Sequence, residues 1–227
     1  MREVAEKPLR PGRPVQFSVL RVPFFLEPDY DTDESFEETN RQRLTRKWGG
    51  EAGFAAQKHS HGLKERGREV GIERFNLDRV ASNTLASHRL VQWITKTKGM
   101  TAAEALYNDL NHRHFELGQK LNDRKMLAEA ASLVGVPEED SLAFLSTDEG
   151  VAEIRKAQHV LRQLGVSGIP TFVLGATTVL PSGALRRQTL AKAFRELEAA
   201  SEEGAPRSVF AEALGVPLEV LAEPLAL

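Results

Sequence analysis

The 227-residue sequence contains no cysteine. This excludes disulfides, thiolate metal ligands and every cysteine-based nucleophile or redox centre within these residues. Long apolar runs are also absent. Phe24-Phe25-Leu26 and Ile169 to Leu174 are among the longest, far short of the roughly 20 residues a membrane-spanning helix needs, so no membrane partner is expected. Charge of one sign is missing as well: 30 Lys and Arg stand against 32 Asp and Glu, a net charge of −2. That balance creates no general field for nucleic acid, which is not expected as a partner. Met1 to Pro14 mixes charges with Pro8, Pro11 and Pro14 and lacks the apolar stretch of a secretory signal, so the expected location is cytoplasmic. The 41% apolar content suffices for one sizeable domain with a real core, or for two compact lobes.

The pattern along the chain places a strand first. Val15, Phe17 and Val19 alternate with Gln16 and Ser18 up to Leu20, and Pro23 bounds the segment. Phe36, Leu44 and Trp48 recur at multiples of four until Gly49-Gly50, predicting a helix with a glycine stop. Residues 51–71 read as weak helix because Gly53, Gly62 and Gly67 each cost about 1 kcal/mol relative to alanine. A helix from Leu85 ends at Lys98 before Gly99, and Thr101 with Glu104 forms a potential capping box for the next one. Asn122 or Asp123 can cap a third helix carrying Met126, Leu127, Ala130 and Val134. Ser146 with Glu149 is a second potential capping box, ahead of the stripe Val151, Ile154, Leu161 and Leu164. Thr171 to Leu174 and Thr178 to Leu180 read as a β-hairpin, Leu185 to Ala199 as a helix, Ser201 to Pro206 as a linker, and the remainder as a tail.

A strand, a helical block, and a helix ending in Val166-Ser167-Gly168-Ile169-Pro170-Thr171-Phe172 before a hairpin resemble the DsbA-like thioredoxin-fold oxidoreductases. Arg21-Val22-Pro23-Phe24-Phe25-Leu26, Asn83-Thr84, Ala86-Ser87-His88-Arg89-Leu90 and Ser182-Gly183-Ala184 resemble motifs of the FrnE-type subgroup. The resemblance implies an α/β thioredoxin-like fold, incomplete at the N-terminus, with a large all-helical insertion. Its domain would span 15–198, with the insertion at about 35–164 and a linker and tail at 199–227. It further implies a cis Ile169-Pro170 bond, with Gly168, Ile169, Pro170 and Thr171 forming the substrate-binding edge. The occupant would be an extended peptide, a protein thiol or glutathione, held by strand addition. Independently, proline cannot donate to a ladder and is expected at a strand's first residue, as Pro170 is here. No cofactor is implied, and homo-oligomerisation stays open.

The resemblance also implies what these residues do not supply. In the family a strand and helix carrying Cys-x-x-Cys precede the segment at Val15, and that strand lies between Val15 to Leu20 and Thr171 to Leu174. The chain is therefore expected to be redox-inactive as it stands, with no catalytic residue of its own, and to leave unpaired ladder edges. A fragment of a longer product, a chain that has lost its chemistry while keeping a peptide-binding groove, and a gap filled by another chain all fit. The fragment reading is preferred, since loss of a central strand conflicts with every other locally consistent feature. A glutathione-linked relative of the kappa-class transferases and isomerases is a further alternative.

Other constellations weigh less. His59-Ser60-His61 and His112-Arg113-His114 are each two apart, about 200° around a helix, so no shared metal is expected. His88 is kept as a possible site residue because it falls inside a resembling motif. Asp29, Asp31, Asp33 and Glu34 suit an exposed turn before a helix N-terminus, and Trp48 and Trp93 are expected to pack the insertion against the sheet layer.

Overall fold

The computed structural model describes residues 1–60, 62–201 and 208–224, with the side chains of 58–60 also outside the described set. In chain order its elements are α1 (Arg2–Glu6), β1 (Glu38–Thr39), α2 (Asn40–Lys47), α3 (Glu51–Ser60), α4 (Leu63–Glu69), β2 (Val80–Ala81), α5 (Leu85–Lys98) and α6 (Met100–Phe115). There follow α7 (Arg124–Ser132), α8 (Glu138–Leu145), α9 (Val151–Gln163), β3 (Val173–Leu174), β4 (Thr178–Val179), α10 (Arg187–Ala200), α11 (Val209–Leu214) and α12 (Leu218–Leu221). The chain divides into two compact units, Met1–Leu26 with Gln92–Ala103 and Gly150–Leu227, and Glu27–Val91 with Glu104–Glu149. Two of the boundaries fall inside α5 and α6, and the other two lie between elements, at 26/27 and 149/150.

In the first unit the core gathers Met100, Ala157, Leu161, Phe210, Leu214 and Leu221, with Leu20, Val22, Phe24 and Val173 packed against it. α11 and α12 thus give residues 209–221, which carry no clear sequence signal, a place in the core. Their order is local as well as tertiary: Ser208 Oγ accepts the Phe210 N–H at 3.2 Å, and Gly215 ends α11 at φ 66°. Beyond α12, Glu223 reaches back to the start of α6. Its carboxylate accepts the Met100 N–H at 3.0 Å and the Thr101 hydroxyl at 2.8 Å. A carboxylate on free helix N–H groups contributes on the order of 1 kcal/mol. The cap also explains Gly99, where a Cβ would stand 2.3 Å from the Glu223 oxygen on a backbone with φ +88°. The capping box expected from Thr101 and Glu104 is therefore corrected: α6 starts at Met100, so Thr101 already lies within it, and the cap comes from a distant residue.

The strand expected at Val15 to Leu20 is also corrected. Its side chains do pack, with Phe17 meeting Phe194 edge-on at 5.0 Å. The segment runs without turn or helix but joins no ladder among the described residues. Alternating apolar residues report which side chains meet a core, whereas a ladder needs a second backbone about 4.8 Å away. Just beyond, Gln92 Nε2 donates to the Arg21 carbonyl at 2.7 Å and Gln158 Nε2 to that of Pro23 at 2.5 Å. Carbonyls two apart on an extended chain face the same way, so α5 and α9 fix this segment from one side. The hairpin stands as read, with Val173 opposite Val179 and Leu174 opposite Thr178.

In the second unit, α2 begins four residues later than its apolar spacing suggests. Thr39 and Gln42 form a capping box, the Thr39 N–H donating to Gln42 Oε1 at 2.9 Å and the Gln42 N–H to Thr39 Oγ1 at 3.2 Å. Phe36 is left outside the helix, its ring 4.9 Å from that of Tyr30. β1 pairs antiparallel with β2, a two-residue ladder too short to leave a period-2 signature. Trp48 lies 6.0 Å from Phe54 of α3, so it closes the α2–α3 corner rather than a sheet. α7 starts as read, with Asp123 Oδ1 accepting the Met126 N–H at 3.0 Å.

The second expected capping box, Ser146 with Glu149, does not form. An unanticipated helix, α8, occupies the preceding residues, and Ser146 ends it with its hydroxyl donating to the Ala143 carbonyl at 2.6 Å. Two turns offer too few apolar repeats to be read as a stripe. Gly150, at φ 84°, is the N-cap residue of α9 instead. Buried Arg89 closes the α8 end: its guanidinium donates to the carbonyls of Glu149 at 2.7 Å, Thr147 at 2.6 Å and Phe144 at 3.2 Å. The linker expected over Ser201 to Pro206 lies, from residue 202 on, outside the described residues.

Candidate substrate-binding turn

α9 ends at Gly165, whose φ of 70° only glycine adopts readily, and the buried Val166 anchors the turn that follows. The Ile169-Pro170 peptide bond is cis. Three hydrogen bonds hold the turn. Thr171 Oγ1 donates to the Gly168 carbonyl at 2.7 Å and lies 2.6 Å from Ser182 Oγ. With its one proton committed to Gly168, Thr171 accepts the proton of Ser182. The Gly183 N–H donates to the Pro170 carbonyl at 2.8 Å. The turn is thereby bound to the 182–183 bend after the hairpin, and β3 and β4 lie between them.

Within this rigid frame Ile169 is left open. It is 52% exposed, and among the described residues neither its N–H nor its C=O takes part in a hydrogen bond. Phe172 and Val179 beside it in the chain and hairpin are also exposed. One free donor and one free acceptor on an exposed bend, flanked by apolar side chains, are available to the backbone of another chain.

Gly168, Ile169, Pro170 and Thr171 are thus brought together in one turn of the first unit. His88 lies on α5 in the second unit, half-buried, its own N–H donating to the Thr84 carbonyl at 3.0 Å. The residues that pattern reading missed are Ser182, Gln92 and Gln158. A glutamine inside an apolar helical stripe, as Gln92 is between Val91 and Ile94, was the available signal, because a buried amide needs a partner.

Among the described residues, no three His, Asp or Glu side chains cluster as metal ligands. His61 and the side chain of His59 lie outside them. His112 Nδ1 pairs with Glu116 at 2.8 Å, whereas His114 Nδ1 sits 2.9 Å from the Gln119 carbonyl. That carbonyl can only accept, so Nδ1 of His114 carries the proton. Burial pushes the pKa of His114 down to about 4, with the cations of Arg79 and Arg43 adding to the shift and the Gln119 carbonyl opposing it. The unfolded imidazole titrates near 6.5, so between about pH 6.5 and 4 the unfolded chain takes up a proton that the folded chain refuses. Stability from this group is present above 6.5 and lost as pH falls toward 4. At about 1.4 kcal/mol per pKa unit, reduced for partial exposure, the loss is on the order of 2 kcal/mol. Urea midpoints at pH 7 and 4.5 are expected to differ less in His114→Gln than in the parent; equal pH dependence in both would refute this assignment.

Within the acidic stretch 27–38, Glu27, Glu34 and Glu38 are tied into ion pairs and hydrogen bonds. Glu27 accepts from Arg43 and Lys47, each at 2.7 Å, and Arg46 bridges Glu27 at 3.3 Å to Glu38 at 2.9 Å. Burial would raise the Glu27 carboxyl, but the hydrogen bonds and charges of Lys47 and Arg43 outweigh it and hold it below its ordinary value. Burial, then the hydrogen bond to Glu38, raises the Tyr30 phenol, so it stays protonated. Glu34 accepts the N–H of Arg124, the first residue of α7, at 3.0 Å, and Asn122 Nδ2 lies 3.1 Å from the carbonyls of Asp33 and Phe36.

A family model for the DSBA-like thioredoxin domain matches residues 55–195. That span is more than half of the chain, and the chain belongs to this family. In fold it is similar to the crystal structure of a probable DsbA oxidoreductase from Streptomyces coelicolor, with a TM-score of 0.67 and 24% identity over 80% of this chain and 75% of that one. No curated protein matches. The fold is thus a thioredoxin-like α/β fold with a helical insertion, in a family of oxidoreductases, on a chain with no cysteine. Among the described residues no helix is long and apolar enough to cross a membrane.

Proposed function

We propose that the Gly168–Thr171 turn binds an extended polypeptide of the kind disulfide oxidoreductases handle, and that these residues alone perform no redox turnover. The observation that carries this reading is the unoccupied N–H and C=O of Ile169 on a turn braced by Thr171, Ser182 and Gly183. Main-chain pairing gives affinity with little side-chain selectivity, which suits a protein acting on many unfolded chains, and glutathione offers the same peptide chemistry on a smaller scale.

Thr171→Val tests it, because valine keeps the shape and removes both hydroxyl contacts. Each net hydrogen bond is worth about 0.5–1.5 kcal/mol, so affinity for a fluorescent, cysteine-alkylated insulin B chain is expected to drop about threefold to tenfold in anisotropy titrations. An unchanged affinity in a variant with parental circular dichroism would overturn the assignment.

A further inference from the structure

α9 is two-faced. Ile154, Ala157 and Leu161 are buried, the last two in the first unit's core with Phe210, Ala211 and Leu214 of α11. The opposite face carries Arg155, Lys156, His159 and Arg162, all exposed. At about 100° per residue, Arg155, His159 and Arg162 fall within about 60° of one another, with Lys156 at their edge. Ala152 and Gln163 complete the face, while Glu153, the carboxylate of this helix, lies about 200° around the axis from Arg155.

On α6 and α10, neighbouring carboxylates match cations within a turn: Arg113 pairs with Asp109 at 2.6 Å, His112 with Glu116 at 2.8 Å and Arg195 with Glu198 at 2.7 Å. On α9, His159 instead has Arg155 four residues before it, Lys156 three before and Arg162 three after. Among the described residues none of these four side chains meets a carboxylate or takes part in a hydrogen bond. Like charges one turn apart oppose helix formation. The helix dipole favours a cation only in the last turn, which covers Arg162 but not Arg155 or Lys156. Local chemistry thus gives no account of the cluster, and an anion from outside would relieve it.

The face specifies that anion. Guanidinium forks match carboxylates two oxygens at a time. The face holds no aromatic ring for a base to stack on and no large apolar side chain to enter a bilayer, and a net charge of −2 offers no long-range attraction to a polyanion. Arg155 and Arg162 stand about 10.5 Å apart along the axis, with His159 about 6 Å from the first. Carboxylates at i, i+4 and i+7 of a second helix repeat this spacing, whereas same-side residues of a strand recur at about 6.7 and 13.4 Å.

We propose that the outer face of α9 docks an acidic helix of a partner polypeptide, with carboxylates at i and i+7 on Arg155 and Arg162 and one at i+4 on His159. The site does not depend on the reading given to Ile169.

NMR titration of the full chain, read at the amides of α9 and of Ile169, tests the pairing. The probe is an acetylated, amidated alanine-rich peptide of about 20 residues, long enough to hold a helix in water, with Glu at i, i+4 and i+7 and Gln elsewhere for solubility. Its controls carry Gln at all three positions, or the three Glu at i, i+2 and i+5 on scattered faces. The acidic peptide is expected to shift the α9 amides and to bind at least threefold more tightly than either control, as two or three exposed charge pairs allow. Arg155→Gln with Arg162→Gln should remove that preference at parental circular dichroism, whereas Arg74→Gln, at an exposed arginine of the second unit, should leave it unchanged. Arg155→Glu with Arg162→Glu should turn the preference to the same helix bearing Lys. No α9 shift at millimolar acidic peptide, or a preference that survives loss of both arginines, would overturn the docking face. Equal binding of the scattered-Glu peptide would overturn the helical partner. Tighter, arginine-dependent binding of a single-stranded RNA or of phosphatidylserine vesicles would overturn the choice of a polypeptide, and α9 shifts that grow with chain concentration alone would replace the partner by a second copy. Shifts confined to Ile169 would leave the peptide-binding turn standing and remove this site.

Discussion

Purified 227-residue chain is expected to reduce insulin no faster than the dithiol in the assay does unaided. Thiol-disulfide exchange runs through attack of a thiolate on a disulfide sulfur and a mixed-disulfide intermediate. With no cysteine in the sequence, no atom here can occupy either role. Serine and threonine hydroxyls, including Thr171 and Ser182 of the braced turn, cannot form the sulfur–sulfur bond or accept the electrons. The shortfall is thus categorical rather than a few-fold change. Binding and turnover should separate: the alkylated insulin chain is held at the Ile169 edge, while the reduction rate does not move. A rate clearly above the dithiol background, from protein free of contaminating reductases, would sink this account of the chemistry.

Arg89→Met is expected to lower stability by about 3–5 kcal/mol, the largest effect of any single substitution considered. The guanidinium donates to three carbonyls where α8 ends and the chain turns into α9, and its carbon lies 4.9 Å from the centre of the Phe144 ring. Methionine fills much of the volume but offers no donor. Three carbonyls then lose a charged partner in a buried place, at about 1–3 kcal/mol for each group left unsatisfied, with incomplete additivity. Arg89→Lys should recover less than half, since an ammonium cannot reproduce the planar fork that reaches three acceptors at once. Urea unfolding followed by circular dichroism reads both. A loss below about 1 kcal/mol in Arg89→Met would show that water replaces the guanidinium and that the cap is dispensable. The neighbouring His88 drew attention from the sequence because it falls inside a resembling motif, yet the adjacent arginine makes the contacts that hold the end of α8.

Much of the fold was legible before any coordinates. Glycines at 49 and 99 mark helix ends where positive φ is needed, Asp123 announces α7, and Gly168-Ile169-Pro170-Thr171-Phe172 marks the turn and its hairpin. These are signals from within a few residues, and local chemistry decides them. The two capping boxes that failed were local signals overruled in different ways: Thr101 by a partner far along the chain, Glu223, and Ser146 by the end of α8 immediately before it.

By itself, then, the sequence determined the helix stops, the hairpin, the substrate-binding turn as a candidate and, through the absence of one element, the exclusion of thiol chemistry. Only the tertiary structure decided that residues 15–20 pack without a ladder, that residues 209–221 enter the core, that Gln92 and Gln158 clamp the carbonyls of Arg21 and Pro23, and that Ile169 keeps its backbone free. The physical reason is range. Dihedral preferences and local caps act within a turn of chain, whereas a hydrogen-bond partner 71 or 135 residues away leaves no periodicity in the sequence to read.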